Sequence, residues 1–527
     1  MADKALEGAI AVTRFGLGAR PGEIEEASRD PRGWLLAQIR REGADQPVTA
    51  PLPATPAPAP PPPPKPTAVM AGADMASGPV PPGTNAKLQT EMAMSAPTGA
   101  MAPTPPAPPA MEQPKTDFGL GQPLPTMRAA YRTFLDYRAA VQGAKADPEL
   151  RRQASLPIYE LVAEEALARA RLATTTPAGF RERWFLFWAN HFTVAAKNQD
   201  TTVAVGPFER EAIRPHIFDG FANLLAASSM HPGMILYLDQ AQSIGPDSQA
   251  GLRRGGGLNE NLAREIMELH SVGADAGYTQ ADVTEFARAL TGWSVGGRNP
   301  KDEREVAGNF FYRDNFHEPG QRNIFGHRYD DDGGKQAMRV LIDLAQHPAT
   351  ARRLSTKIAR HFVADDPPPA LVAHLEQVWI RTGGDLGRVA EALVTSKEAF
   401  APAELKLKTP YEFIISTYRA ADFEPTNPAR EVVQPLNALG QRPFGAAQPN
   451  GWSDVSADWA APDAIVKRLT WAQGFASAHT PLLPPPDLAR AVLGQRLTPN
   501  TLTYVSRAES RPEAFALLVM SPEFQRR

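Results

Sequence analysis

From about Thr126 to Arg527, apolar side chains recur every three or four residues with little interruption. That period gathers them on one face of an α-helix, whereas a half-buried strand needs alternation. The pattern predicts helices over Met127–Gln142, Pro157–Leu172, Gly179–Phe192, Pro207–Ala227, Asn259–Val272, Thr279–Trp293, Lys335–Gln346, Thr350–Val363, Pro368–Arg381, Leu386–Thr395 and Pro410–Ala421. Proline and glycine fall mostly between these segments, where helices must stop. Pro215 is an exception and predicts a break or kink. Alternating β-branched runs are scarce. One small hairpin is expected, pairing Glu305–Tyr312 with Arg322–Tyr329 around Asn315–Gly320. The expected fold is mostly α: a large single helical unit with one small β-hairpin excursion and a disordered Pro-rich insert.

The insert is read from composition. Residues 46–125 hold few large apolar or aromatic side chains and include the run Pro60–Pro64. Such a stretch cannot bury enough apolar surface to offset its ordering entropy, so disorder with some polyproline II character is expected. It separates residues 1–45, with helices over Gly22–Ala27 and Pro31–Arg40, from a main helical domain at 126–527. A piece of about forty residues is too small to fold alone. The first part is therefore expected to pack on the main body.

Zero cysteines exclude disulfides, thiolate metal sites, iron–sulfur clusters and a cysteine nucleophile. A formal net charge of -3 gives no electrostatic footprint for nucleic acid. No segment approaches the ~18–20 apolar residues of a membrane span. The N-terminus carries Asp3 and Glu7 and only a short apolar run, Ala9–Val12, unlike an export signal. The expected location is cytoplasmic, or periplasmic if the true start lies upstream of Met1.

Several segments carry more polarity than a core helix needs. On an Asn259–Val272 helix, Asn261, Arg264, Glu265 and Glu268 share one stripe, opposite Leu262, Ile266 and Leu269. Two adjacent carboxylates repel, so one holds its proton more tightly and can act as general acid or base. A solvated face with an Arg264–Glu268 pair is the plainer alternative. His270 points elsewhere on that helix, and Gly273 suits its end. His191 closes an aromatic helix containing Trp184, Phe185, Phe187 and Trp188, where an imidazole serves as ligand, base or core group. Arg210 and Arg214 form an i+4 pair that would clamp an anion or, more commonly, bind nearby carboxylates. Asp239 ends a short segment, and His317 sits in an expected loop. Thr279 with Asp282 resembles a capping box. The glycines at 251–257 lack a Walker lysine and a preceding strand, so no phosphate-binding loop is read there.

Longer motifs carry a family resemblance. Arg14-Phe-Gly-Leu-Gly-Ala-Arg-Pro21, Trp188-Ala-Asn-His-Phe192, Asn259-Glu-Asn-Leu-Ala-Arg-Glu-Ile-Met-Glu-Leu-His270, Tyr278-Thr-Gln-Ala-Asp-Val-Thr-Glu285, Leu290-Thr-Gly-Trp293, His317-Glu-Pro-Gly320 and Gly451-Trp452 resemble the bacterial family called domain of unknown function 1800. The resemblance implies a large, mostly helical bacterial protein. It also implies gene company with a sulfatase-like or phosphatase-like partner, and in many members an export signal. It carries over no catalytic residues.

Two functions compete. The first is a metal-dependent or carboxylate-based hydrolase. Glu265, Glu268, His191 and His270 would be catalytic. Arg210, Arg214, Asp239, Asn261 and Arg264 would hold substrate. His191, His317 and Glu265 would hold a divalent metal ion if one is used. The alternative is a non-catalytic accessory protein binding a partner protein or glycan through an aromatic-rich groove.

Overall fold

A computed structural model of the chain describes residues 2–48, 123–143, 147–297, 304–403 and 406–527. Most of the proline-rich stretch at 46–125 therefore lies outside the described residues. What is described is mostly α-helical, with two small antiparallel strand pairs.

Most helices form where the periodicity placed them. Met127–Gly143, Gly179–His191, Lys335–Gln346, Pro348–Phe362, Pro369–Thr382, Leu386–Thr395 and Pro410–Ala421 match their apolar stripes closely. Thr279 caps Gln280–Leu290 reciprocally with Asp282, which satisfies two backbone donors at the helix start. Pro157, expected at a helix start, instead lies inside the long Pro148–Thr175 helix. Both Pro157 and Gln153 are exposed, so water can serve the carbonyl that the proline leaves without a donor. Around Pro215 the expected 207–227 helix breaks into Val205–Phe208, a π-helical turn Glu209–Ile213, a 3₁₀ turn Arg214–His216 and the helix Phe221–Met230.

The β excursion differs from expectation. Glu305–Tyr312 and Arg322–Tyr329 do not pair with each other. Phe310–Tyr312 pairs with Trp293–Val295, and Arg322–Ile324 folds back on His327–Tyr329. The second hairpin turns on Phe325 and Gly326, at φ +50 and +79. Two left-handed residues are what a two-residue hairpin loop of right-handed twist requires. Phe325 holds that conformation because its N–H donates to Asp282 and its ring lies 4.8 Å from that of His347.

The N-terminal elements Ala2–Ile10, Ala11–Phe15, Glu23–Arg29 and Pro31–Leu36 thread into the helices that follow. Phe15 is fully buried, its ring 5.0 to 6.3 Å from those of Phe180, Phe362 and Phe400. Arg14 donates to the carbonyls of Ala399 and Ala401. Gly18, at φ +96, passes so close to Ser416 that a Cβ there would lie 2.5 Å from the serine Cβ. One extensive core includes Trp184, Trp188, Trp293 and Trp379. Among the described residues no helix is long and apolar enough to cross a membrane.

Candidate functional site

Three elements meet at the site: the C-terminus of Gly179–His191, the π-helical turn Ile266–His270, and one face of Pro348–Phe362. Successive turns of the last helix present Arg353, Lys357 and His361, spaced i, i+4 and i+8 along about 12 Å of axis. The Lys357 ammonium donates to His191 Nδ1 at 3.1 Å. His191 Nε2 lies 3.1 Å from the His270 carbonyl. A carbonyl only accepts, so the His191 proton sits on Nε2 and the Nδ1 lone pair faces the lysine. The His191 and His270 rings stand 6.0 Å apart. Arg353 donates to the Leu269 carbonyl at 3.3 Å, next to His270.

The neighbouring motif residue does a different job. Asn190 brackets Trp452, donating to its carbonyl at 2.9 Å and accepting from its N–H at 2.8 Å. Gly451, at φ +79, makes this approach feasible, because a Cβ there would lie 2.4 Å from the Asn190 carbonyl oxygen. The loop so anchored delivers Asp454 to His361 Nδ1 at 2.7 Å. Lys406 bonds both Asp365 and the Asp454 carbonyl. Beyond them, Glu412 is clamped between Arg183 and Arg527.

Burial sets the proton affinities. It pulls Lys357 down to about 8, against the opposing attraction of Asp454 and with Arg353 and Arg360 adding repulsion. His191 falls well below the usual imidazole range because of burial and then Lys357. His270 falls to about 3 by burial, Lys357 and Arg353. His361 falls to about 4, since burial outweighs its Asp454 partner. All three imidazoles are neutral at pH 7. Glu265 moves the other way: burial and then the Glu268 charge raise its carboxyl above the ordinary value.

The sequence-derived candidates divide clearly. Glu265 and Glu268 are half-buried neighbours. Glu265 is within electrostatic range of Tyr237, and Glu268 of Arg353. His191 bonds Lys357, and buried His270 lies within electrostatic range of it. Arg264 pairs with Glu260 at 2.9 Å rather than with Glu268, and Asn261 is exposed. Asp239 adopts φ +56 and accepts from Gln242 at 3.2 Å. Arg210 and Arg214 take the commoner option for such pairs. Arg210 is bonded to Glu165, and Arg214 meets Glu182 through two bonds of 2.8 and 2.9 Å. With Arg169–Glu209 at 2.8 Å they make a ladder of three Arg–Glu rungs, of which Arg214–Glu182 is buried at both ends. His317 is occupied elsewhere, donating from Nδ1 to the Thr291 carbonyl at 3.0 Å. The set His191, His317 and Glu265 is not brought together, and no group of three or more His, Asp or Glu able to hold a metal ion occurs among the described residues.

Arg353, Lys357, His361 and Asp454 were not singled out by sequence reasoning. The signal for the first three was present as a basic residue on each of three successive turns of a predicted helix. A family model described as protein of unknown function, DUF1800, matches residues 10–526. Neither the curated proteins nor the solved structures provide a match.

Proposed function

The chain belongs to the DUF1800 family of proteins of unknown function, and from that premise we propose that it is a hydrolase using acid–base catalysis at the Lys357–His191 pair. One contact supports this reading above all: the lysine ammonium held at 3.1 Å by a neutral imidazole whose other nitrogen is committed to a backbone carbonyl. An ammonium with a pKa of about 8 is well matched to deliver a proton to a leaving group near neutral pH. His191 acts as a positioning residue, fixing one of the three N–H directions of Lys357. Glu265, its proton affinity raised by burial and Glu268, is the candidate to take a proton from water at the rim.

The experiment is a panel of chromogenic phosphate, sulfate, carboxylate and glycoside esters assayed from pH 5 to 10. One class should be hydrolysed with a bell-shaped profile, its upper limb near pH 8. Lys357→Met should lower kcat/KM on the order of a hundredfold or more, in the range for loss of a general acid, and Glu265→Gln should remove the lower limb. A panel with no turnover, or variants indistinguishable from wild type, rejects the proposal.

A second reading, an accessory protein that binds a partner, draws support from another observation. Val466, Leu482 and Tyr504 on the C-terminal helices and their connections are 62%, 96% and 67% exposed. Such groups serve as a contact surface where they are gathered into one contiguous patch. The tryptophans contribute less to such a surface, because Trp184, Trp188, Trp293 and Trp379 are core residues.

A further inference from the structure

The basic face of Pro348–Phe362 leaves polar atoms without partners. His270 is 1% exposed, yet neither ring nitrogen has a hydrogen-bond partner, and the buried Nε of Arg353 has none either. An orphaned buried donor or acceptor costs about 1–3 kcal/mol, so three in one corner need an explanation. They are neighbours: Arg353 bonds the carbonyl of Leu269, and Lys357, one turn further on, holds the imidazole that bonds the carbonyl of His270. Of the three N–H bonds on Lys357, one is directed to His191. Arg353 and Lys357 are only partly buried, whereas the His270 ring nitrogens and the Arg353 Nε are closed off from solvent, so an anion reaches them where those two long side chains part.

The geometry points to a subsite for a tetrahedral oxyanion, of the phosphate or sulfate class, held by Arg353, Lys357 and His270. This deepens the hydrolase reading and rests on it, because it names the substrate as an ester of such an acid. Charge selects the ligand. A metal cation would be repelled by the guanidinium and the ammonium. The carboxylates within electrostatic range are Glu268 and Asp275 beside Arg353 and Asp454 beside Lys357, and Asp454 is already bonded to His361. The donors belong to three side chains of different shape, and Arg353 offers its single Nε–H. Several oxygens pointing in different directions satisfy such donors better than one planar carboxylate, which is best met by a flat guanidinium fork. With the anion in that corner, the remaining N–H bonds of Lys357 lie beside it, where a leaving oxygen would need its proton.

The test is binding, which needs no turnover. Inorganic phosphate, sulfate, acetate and chloride are titrated at constant ionic strength into the full-length protein, followed by calorimetry, melting temperature and the imidazole NMR signals. Phosphate or sulfate should saturate at millimolar concentration or below, raise the melting temperature and move the His270 ring signals, with acetate at least tenfold weaker and chloride inert. Arg353→Gln and His270→Gln should each weaken binding at least tenfold. Arg352→Gln, on the same helix but paired with Glu376 at 2.8 Å, should leave it unchanged. No saturable binding, equal binding in all variants, or unmoved His270 signals overturns the subsite, and the signals of the wild-type protein decide if a variant fails to fold. Anion binding without ester hydrolysis leaves the subsite standing and removes the hydrolase reading. Hydrolysis of a neutral ester with no anion binding does the reverse.

Discussion

An ammonium packed among imidazoles and arginines holds its proton less tightly than one in water, and Lys357 is in that position. Its retained affinity depends partly on His191 Nδ1, which accepts from the charged form. Replacing His191 with Phe should therefore move the Lys357 pKa further below about 8. The pH dependence of lysine methylation at that site, read by mass spectrometry, checks the direction. The imidazoles give a second expectation. His270 and His361 titrate near 3 and 4 in the folded chain against 6.5 for a solvated imidazole, so between pH 6.5 and 4 the unfolded chain binds more protons. Stability then falls on acidification, by about 1.4 kcal/mol per pH unit for each such group. Glu165 opposes this. Burial raises it to about 7 despite Arg210, so its contribution is present below 4.5 and is lost as pH rises through 7. Urea denaturation across pH 4 to 7 should show a shallower slope in His361→Gln than in wild type, and a steeper one in Glu165→Gln.

Short elements decide which of these groups meet. The apolar period announced a helix over 259–272, and its stripe correctly put Glu265 beside Glu268. It could not announce that the second half, Ile266–His270, is a π-helical turn. Such turns occur often at functional sites, and this one is closed by Gly273, whose N–H donates to the Met267 carbonyl. Nor could periodicity show that Arg353 and Lys357 face this turn while His361 meets Asp454, because the pattern marks the apolar side of a helix and leaves the partners of its polar side open. The Phe325–Gly326 hairpin was hidden for a different reason: phenylalanine is not a residue one expects at positive φ. Local signals with local partners were legible, as at Thr279 and Asp282. Thr279→Ala should cost about 1 kcal/mol in chemical denaturation, the usual effect of losing such a cap. The Arg–Glu ladder is more demanding. Glu182 and Arg214 are both about 3% exposed, so Glu182→Gln would leave a guanidinium buried without its counter-charge. A loss of about 3–5 kcal/mol in the same assay is expected.

Across the whole molecule, the first elements are fastened by residues from the far end of the sequence. Arg419, fully buried, donates to the carbonyls of Gly18, Ala173, Thr174 and Thr176 and meets both oxygens of Glu23. Arg419→Met should cost on the order of 4 kcal/mol, the range for a broken buried pair, and should open the chain near Arg20 and Arg29 to trypsin well before global unfolding. The helical class was readable from composition and period. These long-range arginine contacts were not, since nothing local in Arg14-Phe-Gly-Leu-Gly distinguishes a motif that binds ligand from one that is clasped by its own chain. The clasp also has a consequence for synthesis. Arg14 reaches carbonyls almost four hundred positions downstream. At about 5–20 residues per second, roughly twenty seconds to more than a minute pass at the ribosome before they exist. During that interval Phe15 lacks Phe362 and Phe400 from its native cover, so a nascent chain of this kind should depend on chaperones that bind early and let go late.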